Sequence, residues 1–192
     1  MDIYSIIQII LGSLYFFVPA YVANMTPPIV KWLNIANPLA KPIDGGRQFL
    51  GKPLFGDHKT WRGLILGTFA GICAYCLQIS LAHFSFFQSI QLIDYLDPKN
   101  NIFAVILPLG GLLGDLFFSF IKRRTNLEPG ASFLFFDQTN YVLGAWVMVK
   151  IFTPHSVADN FTIWLTLILL TLILHIIVNR IGYSLKIHKA KW

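Results

Sequence analysis

Two acids sit inside otherwise apolar stretches of this chain, Asp115 in GDLFFSFIKRR and Asp137 in FLFFDQTNYVLG. Ionisable groups in a hydrophobic span are costly and by default mark function. Three consecutive cations, Lys122, Arg123 and Arg124, stand between them. Two carboxylates flanking a cationic turn point to a metal ion holding a polyphosphate. Asp115, Ser119 and Lys122 recur at helical spacing and share one face, as do Asp137, Asn140, Tyr141 and Gly144 on the next segment. Asp115 lies seven residues before Lys122, about 10 Å below the polar end of its helix. If the two segments are antiparallel neighbours, both carboxylates lie at one shallow depth and can meet one ion. Hard carboxylates beside a serine hydroxyl suit Mg²⁺, which takes one or two carboxylates plus substrate phosphates. The competing arrangement is a pair of separate ion pairs, Asp115 with a cation of an earlier loop and Asp137 with Arg123 or Arg124.

The elements that position these residues are apolar. The chain has 192 residues, 55% hydrophobic and 12% charged, with a mean hydropathy of +0.62. Soluble domains carry about 25% charged residues, so the expectation is one all-α polytopic membrane domain over residues 1–192. Crossing the hydrocarbon as helix takes about 20 apolar residues. Five segments qualify, at 3–22, 63–82, 102–121, 133–152 and 161–179. The N-terminus has no basic n-region and no small-residue cleavage site, so the first segment is read as a retained helix. Cys73 and Cys76 fall within the second segment at helical spacing and are read as packing, not as a disulfide or zinc site. No Ser–His–Asp or Cys–His set is evident. Of the five histidines, His58 and His175 alone are placed near the polar end that holds the acids.

The links are uneven in charge. The first holds Lys31, Lys41, Arg47, Lys52, Lys59 and Arg62, the third Lys122, Arg123 and Arg124, and the tail Arg180, Lys186, Lys189 and Lys191. Lys99 and Lys150 alone fall on the other side. The positive-inside bias therefore puts the first and third links and the C-terminus in the cytoplasm and the N-terminus outside. A net charge of +6 gathered on one membrane face speaks to topology and anionic ligands, not nucleic acid. The first link is long and reads PIDGGRQFLGKPLFGDHKTWRG over residues 42–63. Its glycines and prolines interleave with Asp44, Arg47, Lys52, Asp57, Lys59 and Arg62. Long ordered loops are commonly functional. The preceding PAYVANMTPP ends the first span, and Pro27 and Pro28 are expected to stop its helix soon after. Asn24 is a possible ligand contact there.

These stretches together, PAYVANMTPP, the PID-G-R to KTWRG loop, GDLFFSFIKRR and DQTNYVLGA, resemble the CDP-archaeol synthases, membrane cytidylyltransferases related to phosphatidate cytidylyltransferases. The resemblance runs over nearly the whole chain. It implies five transmembrane helices with a cytoplasm-facing polar cavity and a long cytoplasmic loop between the first two. It implies a Mg²⁺-dependent reaction joining CTP to an unsaturated isoprenoid ether-lipid phosphate, with CDP-archaeol and pyrophosphate as products. By match, Asp115 and Asp137 would bind the metal, and Ser119, Lys122 and Arg123 belong to the phosphate-side signature. Asp44, Arg47, Asp57, Lys59, Thr60 and Arg62 would hold or cover the nucleotide. The chain departs from the broader family in lacking a Lys-Asp pair after the cations and in carrying Asn140 where a second acid is usual.

The chemistry fits these residues on independent grounds. A lipid phosphate monoester, with a second pKa of about 6, is already anionic and needs no general base. The difficulty is bringing it onto another phosphate, which a metal and many cations relieve. The alternatives are a CDP-diacylglycerol synthase acting on diacyl phosphatidate and, more remotely, a small transporter or channel. The chain shows no inverted repeat, and its polar residues gather on one side. The DG..AR signature of CDP-alcohol phosphotransferases is absent, DGGRQF being a superficial echo.

Overall fold

In the computed structural model, residues 3–125, 134–153 and 157–184 are described. Five long helices account for most of them. They are α1 (Ile3–Trp32), α2 (Trp61–Leu81), α4 (Phe103–Arg124), α5 (Leu134–Phe152) and α6 (Phe161–Ser184), with a short α3 (Ser85–Ile90) between α2 and α4. Only helices and closed barrels satisfy their backbone in lipid. Among the described residues three stretches, Ile3–Trp32, Trp61–Leu81 and Pro98–Arg124 (α4 with the helical turn before it), are long and apolar enough to cross a membrane. Helix α6 contributes a further apolar stretch among the described residues, Phe161–Leu174, and α5 carries Asp137 and Lys150 near its two ends. Large apolar side chains stay exposed around the bundle, among them Phe69 at 63%, Leu77 at 60%, Phe117 at 59% and Leu169 at 55%. In water such a girdle would be a liability; against lipid it is the expected outer face. Cys73 and Cys76 are unpaired and lie on that outer face.

The interior is aromatic. Phe16 and Phe17 of α1 are fully buried against Phe103 of α4, Tyr141 of α5 and Trp164 of α6. Their rings meet edge-on or stacked at centroid separations of 5.6 Å (Phe16–Phe103), 6.1 Å (Phe17–Tyr141) and 6.2 Å (Phe17–Trp164), arrangements that the ring quadrupoles favour. At one end the link after α2 folds back over the bundle. Tyr95 is buried there against Tyr15 and Tyr75, and the Tyr75 hydroxyl donates to the Asn100 carbonyl at 2.6 Å.

Small residues set the closest helix approaches. A Cβ added at Gly114 would stand 2.8 Å from the Gly144 Cα, and one at Gly144 would stand 2.7 Å from the Gly114 nitrogen. This glycine-on-glycine crossing joins α4 to α5 just beside Asp115 and lets the backbones touch. Gly67 of α2 likewise receives the Ala23 carbonyl of α1 and the Leu112 side chain of α4.

One boundary differs from expectation. Helix α1 does not stop at Pro27 and Pro28 but continues through both to Trp32. Tertiary packing outweighs the breaker: the Pro27 ring seats on the bare Cα of Gly63, where a Cβ would lie 3.1 Å away. The Thr26 hydroxyl meanwhile donates to the Val22 carbonyl at 2.7 Å. The long link after α1 is ordered by its own turns. A two-residue antiparallel ladder, β1 (Gln48–Phe49) with β2 (Lys52–Pro53), makes a hairpin. A Pro42–Thr60 bridge closes the loop at its base.

Candidate active site

Thr60 ends this loop and caps α2, its hydroxyl accepting from the Gly63 amide at 3.3 Å. The cap fixes Lys59 just outside the helix and facing α4. The Lys59 ammonium is ion-paired with Asp115 Oδ2. The other oxygen, Oδ1, accepts from the Asn140 side-chain amide of α5 at 3.1 Å. Asp115 is thus held by the loop on one side and by α5 on the other. Asn140 lies three residues beyond Asp137, whose Oδ2 accepts from Lys122 Nζ at 2.6 Å. The chain of contacts Lys59–Asp115–Asn140, with Asp137–Lys122 a turn away, runs across the α4–α5 crossing. One turn along α4 from Asp115, the Ser119 hydroxyl donates to the Asp115 carbonyl at 2.8 Å.

A cavity of about 430 Å³ opens beside Asp115. Its lining comes from three elements: Asn24, Pro27, Pro28 and Lys31 of α1, then Ala40, Asp57, His58, Lys59, Thr60 and Arg62 of the loop and start of α2, and Asp115 of α4. A smaller chamber of about 50 Å³ adjoins it and shares His58, Lys59, Thr60 and Asp115.

The residues singled out in the sequence divide into three groups. Asp57, Lys59, Thr60, Arg62 and Asp115 surround the cavity. Asp137 and Lys122 are tied to it through the α4–α5 contacts, and Ser119 through its bond to the Asp115 carbonyl within α4. Arg123 lies against Gly56 of the loop, and its buried Nε has no hydrogen-bond partner among the described residues. The third group faces elsewhere. Arg47 is exposed on the hairpin and does not line the cavity. Asp44 is 6% exposed and turned into its own loop. Its carboxylate accepts from the amides of Gly46, Phe55 and Gly56, each at 3.0 Å. Burial alone would raise the Asp44 pKa, but these amides and its own outweigh it and hold the carboxyl below the usual range. Arg62 lines the cavity yet is itself a clamp, its Nη1 donating to the Ile35 carbonyl at 3.1 Å and to Asn37 Oδ1 at 3.0 Å.

The separate ion pairs weighed from the sequence are present in part. Asp115 takes a loop cation, Lys59, while Asp137 takes Lys122 in place of either arginine. Arg124 has a different task, missed in the sequence. It lies over the rings of Phe120 at 4.0 Å and Phe49 at 5.3 Å and donates to the carbonyls of Pro53 and Phe49. It pins the hairpin to the end of α4, and no spacing rule finds such a contact between residues so far apart. His175 and Asn179 have side chains outside the described ones, as does the whole link 126–133.

The donor set fits a hard cation. It offers the carboxylates of Asp115 and Asp137 with an amide between them, and among the described residues no cluster of three His, Cys, Asp or Glu. Mg²⁺ needs no such cage, because substrate phosphates and water complete its shell.

A family model for CarS-like CDP-archaeol synthases matches residues 6–192. The chain belongs to that family. A CDP-archaeol synthase of Methanosarcina barkeri is 40% identical over 170 residues, covering 82% of this chain and 97% of its own. That of Methanosarcina mazei is 39% identical over 181 residues, with 91% and 99% covered. The Halobacterium salinarum protein is 30% identical across 98% of this chain and 99% of its own. A solved intramembrane enzyme of archaeal membrane lipid biosynthesis matches with a TM-score of 0.68 at 27% identity, over 88% of this chain and 94% of that one. Membership in the CDP-archaeol synthase family makes this chain a membrane-embedded cytidylyltransferase of lipid biosynthesis. A transporter or channel finds no support among these relatives.

Proposed function

We propose that this chain transfers CMP from CTP to the phosphate of an unsaturated isoprenoid ether lipid, 2,3-di-O-geranylgeranylglycerol 1-phosphate, giving CDP-archaeol and pyrophosphate. The observation that carries the reading is the cavity at Asp115, where an acid from a membrane helix meets the cations of a polar loop. A soluble triphosphate and a lipid headgroup can meet only at such a boundary.

In the reaction, a lipid phosphate oxygen attacks the α-phosphorus of CTP. The bond from that phosphorus to the bridging oxygen of the β-phosphate breaks, and pyrophosphate leaves with the electron pair. No proton need be removed from the nucleophile at neutral pH. Asp115 and Asp137 would hold Mg²⁺, which, when bound, offsets the charge of the triphosphate. Lys59 lines the cavity and is placed to turn from Asp115 to a phosphate oxygen. Lys122, beside Asp137, can serve the departing pyrophosphate. The capped N-terminus of α2 at Thr60 adds positive backbone potential for anions. Asp44, Arg62 and Arg124 act on the loop, holding its fold over the cavity.

We further infer five membrane spans, α1, α2, α4, α5 and α6, with the loop and C-terminus cytoplasmic, from the one-sided distribution of cations. An assay supplying CTP and Mg²⁺ with the ether-lipid phosphate and diacyl phosphatidate in parallel tests the substrate. The expected result is pyrophosphate release and a CDP-lipid with the ether lipid preferred. Equal or better use of phosphatidate would make the chain a CDP-diacylglycerol synthase.

A further inference from the structure

The end of the bundle that carries the long loop has the marks of a bilayer interface. Helix α1 ends there at Trp32 and α2 begins there at Trp61, both exposed. Indole rings gather where hydrocarbon gives way to headgroups. Helix α4 reaches the same end with Lys122, Arg123 and Arg124, and its exposed Phe117 belongs to the outer apolar face. Phe120 follows one turn later on the same face and meets the ring of Phe49 at a centroid separation of 6.2 Å. The β1–β2 hairpin is therefore seated at the rim of the outward surface of α4.

Its turn is made from an unlikely residue. Leu50 and Gly51 join the two strands, with φ of 53° and 72°. A two-residue turn of this hand favours Asn-Gly, because a bulky side chain crowds the backbone at positive φ. Leucine nevertheless takes the first place and is 80% exposed, with Phe49 beside it 51% exposed. A lone leucine at a surface is ordinary. Here a poor turn former stands next to an exposed aromatic ring, on an element that borders a lipid-facing helix. The charge around the tip is of one sign. Residues 45–56 hold Arg47 and Lys52 and no acid, and Arg124 lies over the Phe49 ring at 5.3 Å.

We propose that the hairpin tip is a membrane contact, in which Leu50 dips into the headgroup–chain boundary of the leaflet on the loop's side and Arg47 and Lys52 take lipid phosphate groups around it; this rests on the reading of α4 as a membrane span. An apolar tip flanked by cations binds a lipid surface through buried apolar area and attraction to anionic headgroups. Continuity favours lipid over a protein partner, because the neighbouring face of α4 is itself turned to hydrocarbon. The contact gives the loop a second foothold. Arg124 ties the hairpin to α4, and the leaflet holds its turn. The polar loop is thereby kept level with the surface at which lipid phosphates stand.

The test uses the full-length protein in lipid nanodiscs, with Cys73→Ala and Cys76→Ala so that one introduced cysteine carries a bimane fluorophore. Leu50→Cys, Gly45→Cys on another turn of the loop, and Phe117→Cys on α4 are compared using lipids brominated at a shallow or a deep chain position. Quenching at Leu50→Cys should exceed that at Gly45→Cys by about threefold or more and be stronger with shallow bromine. Phe117 lies seven residues before Arg124, about 10 Å below the helix end, so its probe should prefer deep bromine. Replacing part of a neutral phosphatidylcholine disc with anionic phosphatidylglycerol should strengthen the Leu50→Cys signal, since each cation at an anionic surface favours contact by up to about fivefold. In the unsubstituted protein the same change should slow chymotrypsin cleavage after Phe49 and Leu50, a readout independent of labelling. A Leu50→Cys probe that iodide quenches and brominated lipid does not overturns the proposal. So does equal lipid quenching at Leu50→Cys and Gly45→Cys, or tip cleavage indifferent to lipid charge. A Phe117→Cys probe beyond the reach of brominated lipid would instead remove the reading of α4 as a span.

Discussion

Lys59 of the loop and Asp115 of the membrane helix α4 are ion-paired beside the cavity. If Lys59 also contacts a CTP phosphate, Lys59→Ala should raise KM for CTP with a loss of about 1.5–3 kcal/mol, the worth of a charge-assisted hydrogen bond. Steady-state kinetics at varied CTP check this, and an unchanged KM in folded protein would make Lys59 a tether alone. Asp44 acts on the loop instead. Its folded pKa lies below the ordinary 3.8, so its contribution to loop order is complete above that value and is lost as pH falls through the folded one. Limited proteolysis within residues 45–56 should therefore stay slow from neutral pH down to about 4 and accelerate only below it, whereas Asp44→Asn should be cleaved readily at neutral pH. At this scale the sequence was half legible. Acids in apolar runs announce themselves by their cost in lipid, so Asp115 and Asp137 could be singled out. Asp44 carries the same charge as Asp57 in the same glycine-rich loop, yet it serves the loop's own amides while Asp57 lines the cavity. Only the fold distinguishes a charge facing a cavity from one facing backbone.

Helix positions were the most legible feature, because the requirement of a continuous apolar segment leaves little freedom. The expected segments at 63–82, 102–121 and 133–152 fall within three residues of α2, α4 and α5. The end of α1 was not legible. Proline stops an isolated helix, but here Gly63 and Gly67 of α2 accept the Pro27 ring and the Ala23 carbonyl, and that compensation comes from a distant segment. The tightest junction, Gly114 against Gly144, sits beside Asp115 and one turn from Asn140. Gly144→Ala places a methyl group against the α4 backbone and should destabilise the fold by about 1–3 kcal/mol or more. Because it parts the two acids, it should also lower kcat more than it raises KM for CTP. Thermal denaturation in detergent paired with kinetics separates these effects. The hairpin has its own anchor: Arg124→Ala should leave Tm nearly unchanged and speed proteolysis of residues 45–56, since the arginine holds β1 and β2 rather than the bundle.

The molecule as a whole brings a charged loop to one end of an apolar bundle whose outer face suits lipid. With the loop cytoplasmic, cysteines placed by Gly45→Cys should resist membrane-impermeant thiol reagents in intact cells, and those placed by Ser156→Cys should react. Labelling of the first from outside would invert the topology. The central claim is that Asp115 and Asp137 act as one unit on a metal-bound triphosphate. It is tested most directly by single-turnover transfer of CMP from CTP to the ether-lipid phosphate, using wild type, Asp115→Asn, Asp137→Asn and the double variant at matched folded concentration. The account predicts that wild type needs a divalent ion, that each single variant loses nearly all transfer, and that the double variant loses little more. Full metal-dependent transfer by folded Asp137→Asn would contradict it and leave the two carboxylates as structural partners of Lys59 and Lys122.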